Sequence, residues 1–176
     1  MTARGSARVV LLVVTFVFVQ EALVINLRLG QIHPDVLVLL PILAGLVGGP
    51  ASGASMGFGV GLVADLFLPT PFGLSALVGT LVGFAVGTAT VALDRSSWWL
   101  PIAAAFVGSA VYELAYAAIG SLLGQPQMLH VDLLRIVLMV SVVNALLALP
   151  ARRLVAWALV DASTEGVPTS QVAAAR

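Results

Sequence analysis

Long apolar runs separated by short polar or proline-bearing breaks make up almost the whole chain. The first run covers residues 9–27, with Arg4 and Arg8 ahead of it and Arg28 after it. A secretory signal peptide begins in a similar way. This run is longer, lacks small residues of the cleavage type, and is followed by further apolar runs, so a retained helix is predicted. Its β-branched content would favour strand in water. In lipid the backbone must close its hydrogen bonds within the segment, and helix prevails. No residue from Val36 to Ala64 is charged. As one helix that stretch would be about 43 Å long, against a hydrocarbon core of about 30 Å. Gly48-Gly49-Pro50 divides it, which predicts helices over 34–48 and 51–68. The former is short and contains Pro41, so a re-entrant segment shielded by protein stays open as an alternative.

Leu68-Pro69-Thr70-Pro71 is poor helix interior and ends that unit. Further helices are predicted over 72–93, 100–123 and 133–149. Asp94-Arg95-Ser96-Ser97 and Gly124-Gln125-Pro126-Gln127 separate them, and Pro150-Ala151-Arg152-Arg153 closes the last. Trp98 and Trp99 stand where an aromatic belt would lie. Residues 154–161 either prolong the last helix or lie at the surface. Residues 1–161 are expected to form one integral membrane domain, and 162–176 a disordered cytoplasmic tail.

Composition strengthens the membrane reading. Apolar residues are 60% of the 176 residues and charged residues 9%, with mean hydropathy +1.10 and net charge zero. A soluble domain is about 25% charged. The basic residues are all arginine. Six crossings would put Arg4, Arg8, Arg95, Arg152, Arg153 and Arg176 on one side, and Arg28 and Arg135 on the other. The richer side is cytoplasmic by the positive-inside rule. Five crossings would move Arg152 and Arg153 outward. The predicted fold is therefore all-α: a polytopic membrane protein, a compact six-transmembrane-helix bundle with both termini cytoplasmic. The absence of cysteine excludes disulfides, thiolate metal sites and thiol catalysis. The neutral balance gives no electrostatic ground for nucleic acid.

Small residues recur at helical spacing. Gly53, Gly57 and Gly61 share one face of the third predicted helix, and Gly79, Gly83 and Gly87 one face of the fourth. Glycine enrichment is common in membrane helices. Its appearance on two consecutive helices points to close packing between them or with a partner. Asp65 continues the first line, near the end of its helix, where it could cap a neighbouring amide, meet a polar partner or serve transport. Glu113 lies midway along the fifth helix, on a face shared with Ala105, Ser109 and Ala117 and beside Tyr112. Mid-membrane carboxylates mark ion paths or act as hydrogen-bonding groups between helices. Asn144, with Ser141 and Ala148, forms a weakly polar face on the sixth helix. Asp132 and Arg135 have the i,i+3 spacing of a local ion pair. Gln20 and Glu21 lie in the outer half of the first helix.

No catalytic constellation stands out, and no cofactor is implied. There is no nucleophile elbow, zinc-binding HExxH, phosphate loop or nucleotide fingerprint. His33 and His130 are isolated from carboxylates at ligand spacing, so no metal is expected.

The segment Gly57-Phe58-Gly59-Val60-Gly61-Leu62-Val63-Ala64-Asp65, followed by Pro71-Phe72-Gly73-Leu74-Ser75-Ala76-Leu77, resembles the core signature of the rod shape-determining protein MreD family. The matching marks are Gly57, Phe58, Gly61, Leu62, Asp65, Gly73 and Leu77. Size and number of apolar spans agree over about residues 8–160. The resemblance implies a multi-pass protein of the bacterial inner membrane, without enzymatic activity. It implies a role in organising sidewall peptidoglycan synthesis and cell shape. The implied partners are an MreC-like membrane protein, the synthase pair of RodA and a class B penicillin-binding protein, and MreB at one remove, besides membrane lipid. A different class stays open: the substrate-binding membrane subunit of a vitamin-type transporter. Such a subunit needs an outward pocket, for which Glu21, His33, Asp65, His130, Asp132 and Arg135 are the candidate groups.

Overall fold

The computed structural model describes residues 3–26, 35–92, 97–125 and 132–164, with side chains over 5–20, 35–91, 97–125 and 132–159. Six α-helices follow one another: α1 Ala3–Asn26, α2 Leu39–Gly48, α3 Pro50–Asp65, α4 Leu74–Ala89, α5 Leu100–Leu122 and α6 Leu133–Thr164. A short 3-10 turn, Thr90–Ala92, extends α4. The expected tail beyond residue 164 lies outside the described residues, as do Arg28, His33, Arg95 and His130; residues 162–164 belong to α6.

An all-α bundle of six helices is present, but it is not a bundle of six transmembrane helices. Among the described residues, two stretches are long and apolar enough to cross a bilayer, Leu100–Leu122 and Leu133–Leu159. The ten residues of α2 reach about 15 Å. The sixteen each of α3 and α4 reach about 24 Å, short of a core of about 30 Å. Of α1, the side chains described cover Gly5–Gln20, an apolar stretch of 16 residues. The expectation of six crossings is overturned, and the assignment of both termini to the cytoplasm, which counted those crossings, falls with it. At least two helices are of membrane-spanning type. Only 28% of each apolar window is buried in the protein, so most of its side chains face outward.

The most apolar of the short helices lies inside the bundle. Every residue of α2 from Leu39 to Leu46 is buried. It packs against α3, α4, α5 and α6. Pro41 is tolerated because it stands in the first turn, where backbone N–H groups have no helical partner to lose. The chain leaves α2 through Gly49, at φ +83°, and Pro50 opens α3 at once. The helix here is thus shorter than the predicted 34–48.

The pair α3 and α4 shares the most extensive contact in the fold. Gly53, Gly57 and Gly61 face Gly83, Gly79 and Ala76 in antiparallel order, backbone against backbone. A Cβ on Gly57 would run into the Gly79 carbonyl, and one on Gly61 into the backbone of Ala76. Gly87 continues the seam onto Pro50, and Gly45 of α2 closes on the Gly83 carbonyl.

Pro150 does not close the last helix; it lies within α6. A proline inside a helix costs about 3 kcal/mol or more in water. Here Ala151, Val155 and Ala158 beyond it are buried with Leu12 and Phe16 of α1. That apolar face outweighs the lost hydrogen bond, and membrane helices re-satisfy such carbonyls through neighbouring groups.

Gly61→Leu forces a side chain where the Ala76 backbone passes, so a loss of at least the usual overpacking cost of about 1–3 kcal/mol is expected. Gly59, in the same helix, has open space where its Cβ would go. Gly59→Leu is expected to retain a folded, monodisperse protein. Thermal melts in mild detergent check the contrast.

Candidate functional site

The strongest local arrangement of the predicted marks is the joint between α3 and α4. Asp65, the last residue of α3, is 4% exposed. Its Oδ2 accepts the Gly73 N–H at 2.9 Å and the Ala76 N–H at 3.3 Å, and its Oδ1 accepts the Ser75 N–H at 3.1 Å. These are amides of the first turn of α4, whose preceding residue Gly73 stands at φ +95°. A carboxylate here satisfies amides that lack helical partners and lies at the positive end of the helix dipole. Asp65 is therefore a cap supplied by one helix to the next. Gly57, Gly61 and Gly73 belong to the same joint, and Leu62 is half-buried beside them. Phe58 and Leu77 point away from it, 55% and 48% exposed.

A second cluster lies in the interior, where α2 begins. Asn144 of α6 is fully buried; its Nδ2 donates to the Asp35 carbonyl at 2.9 Å and to Ser109 Oγ of α5 at 2.8 Å. Gln20 of α1 accepts the Val36 N–H through Oε1 at 2.7 Å. Asp35 Oδ1 accepts the Leu37 N–H at 3.0 Å. Glu113 is half-buried and within electrostatic reach of Asp35. Tyr112 and Tyr116 stack with centroids 6.0 Å apart, and the Tyr116 hydroxyl shares a 2.9 Å hydrogen bond with Thr70 Oγ1. Ser75 Oγ, Ser141 Oγ and Asn144 Oδ1 are buried without a hydrogen-bond partner.

Asp35 was missed in the sequence, where Glu113 stood as a lone mid-helix acid. The available signal was its place directly ahead of the longest uncharged stretch. Its nearness to Glu113 on α5 is a property of the fold alone. Asp132 and Arg135 are exposed at the start of α6 and form no ion pair with each other. Gly53, Gly79, Gly83 and Gly87 serve the helix seam. The Glu21 side chain lies outside the described residues. Among the described residues, no group of three or more His, Cys, Asp or Glu could hold a metal ion.

A long apolar groove of about 850 Å³ separates α1 from α3, lined by Val9, Val13, Val17, Met56, Gly59 and Leu159 among others. Ser52 and Ser55 on its wall spend their hydroxyls on the carbonyls of Gly48 and Ser52. Arg8, just ahead of the groove on α1, lies over the Trp157 ring at 5.1 Å. Comparison of the chain with protein-family models, curated proteins and solved structures finds no match.

Two outcomes are expected here. Asp65→Ala leaves amides of α4 without their acceptor and should cost about 1–3 kcal/mol, whereas Asp65→Asn, with one oxygen acceptor left, should cost less. Thermal melts of the purified variants rank them. Burial pushes the Asp35 carboxyl, which lies ahead of α2 and outside both spanning-type helices, up to about 6 from 3.8; the Leu37 N–H opposes this in part. The folded state then holds this proton more tightly than the unfolded state. Its contribution to stability is full below about pH 4 and is lost as pH rises through about 6. Asp35→Asn should flatten that slope in melts taken from pH 4 to pH 8.

Proposed function

We propose that this chain is a non-enzymatic component of the bacterial cell-elongation machinery, seated in the inner membrane, that helps organise sidewall peptidoglycan synthesis. The observation that carries this reading is the convergence of Gly57, Gly61, Asp65 and Gly73 on one joint. Residues that resemble the MreD signature in sequence thus act together as a glycine seam with a carboxylate cap. A scaffold needs such rigid placement of helices more than it needs reactive groups. The two spanning-type helices support a membrane site of action.

The partners this reading assigns are an MreC-like protein and the pair of RodA with a class B penicillin-binding protein, with MreB at one remove. Among the described residues the transporter alternative draws no comparable support; the Glu21 side chain, His33 and His130 lie outside them. The polar pocket by Asp35, Ser75 and Tyr112 has a volume of about 10 Å³, far below a vitamin, and the larger groove is apolar.

Affinity capture after gentle detergent extraction of native membranes, with mass spectrometry, should recover an MreC-like or wall-synthesis protein. The wild-type gene should restore rod shape in a strain lacking it, and Gly61→Leu should not. Recovery of neither partner, together with saturable uptake of a small metabolite by cells expressing the protein, overturns the proposal.

A further inference from the structure

The small pocket beside the α3–α4 seam contains an unmet chemical demand. Its polar lining is Asp35, Ser75 and Tyr112, and Gly57, Gly61 and Gly79 contribute backbone. Ser75 is 1% exposed, and its Oγ has no hydrogen-bond partner. The other hydroxyls of this region are satisfied within the helix: Thr80 donates to the Ala76 carbonyl at 2.6 Å, Thr88 to Phe84 at 2.9 Å and Thr90 to Val86 at 2.8 Å. Ser75 has no such recourse. It is the second residue of α4, and its Oγ does not bond the i−4 carbonyl of Pro71. Its backbone N–H is held by Asp65, which fixes the residue's backbone beside the pocket. The Tyr112 and Tyr116 hydroxyls both come near enough to Ser75 to interact with it, yet neither makes a hydrogen bond of ordinary length to its Oγ.

The pocket's volume is about 10 Å³. A single water needs about that much space, and it needs two to four polar partners. We infer that the pocket is a water site, in which one water bridges Ser75 Oγ, the Asp35 carboxyl and the Tyr112 hydroxyl. The water links three elements: the first turn of α4, the chain ahead of α2, and the middle of α5. It also connects the capped joint to the interior cluster. An empty pocket would instead leave a hydroxyl buried at full desolvation cost.

The two possibilities predict opposite signs for Ser75→Ala. If the site is dry, the variant removes an unsatisfied hydroxyl and melts at the same temperature or higher. If the site holds water, the variant removes one of three partners, and Tm should fall by about 2–4 °C. Tyr112→Phe should lower Tm in the same way. The double variant should lose less than the sum of the two, because both act through one molecule. A structure of the wild-type protein that resolves ordered waters should show one within hydrogen-bond distance of Ser75 Oγ. An empty pocket in that map, an unchanged or raised Tm for Ser75→Ala, or additive losses overturns the inference.

Discussion

The fold depends on two helices being allowed to touch backbone to backbone. Along α3 and α4, glycine meets glycine at Gly53–Gly83 and Gly57–Gly79, and Gly61 meets the chain at Ala76. Van der Waals contact over a smooth seam and a few well-placed hydrogen bonds hold the pair. The seam alone could slide. Asp65 prevents that, because its two oxygens take amides from Gly73, Ser75 and Ala76 and so fix where α4 starts relative to where α3 ends. Register and proximity come from adjacent parts of one segment.

The same close approach makes room for α2. That helix reads Leu-Leu-Pro-Ile-Leu-Ala-Gly-Leu-Val-Gly and carries no polar side chain. Apolar packing resists its exposure but does little to set its position along its own axis. Its ends do that. At one end Gln20 and Asn144 hold the backbone of Val36 and Asp35; at the other Gly49 turns directly into Pro50 and α3. Buried polar groups of this kind are costly unless partnered, so their placement at the start of α2 specifies one arrangement of α1, α5 and α6 around it.

The breaks at Gly48-Gly49-Pro50 and Leu68-Pro69-Thr70-Pro71 were legible because proline and glycine act on their own neighbours. The glycine faces were legible because spacing of four residues is itself a statement about a helix side. Asp35 was not, since its importance comes from Gln20, Glu113 and Asn144, all distant in sequence. Pro150 misled for a related reason. Its local cost is real, but it is outweighed by the burial of Ala151, Val155 and Ala158 against α1, which no local pattern contains.

The number of crossings was the least legible feature, because one property of the chain serves two solvents. An apolar side chain is at home in lipid and equally at home against other apolar side chains. The run containing α2 and α3 was as uncharged as any span, yet α2 is enclosed by protein, whereas α5 and α6 turn most of their apolar surface outward. Hydropathy measures the avoidance of water and says nothing about which neighbour replaces it. Helix length does discriminate, and length is set by the breaks. Where glycine and proline cut an apolar run into pieces of ten and sixteen residues, the pieces gain most by packing on each other. Smooth glycine faces make that packing close enough to replace the contacts that lipid would have supplied.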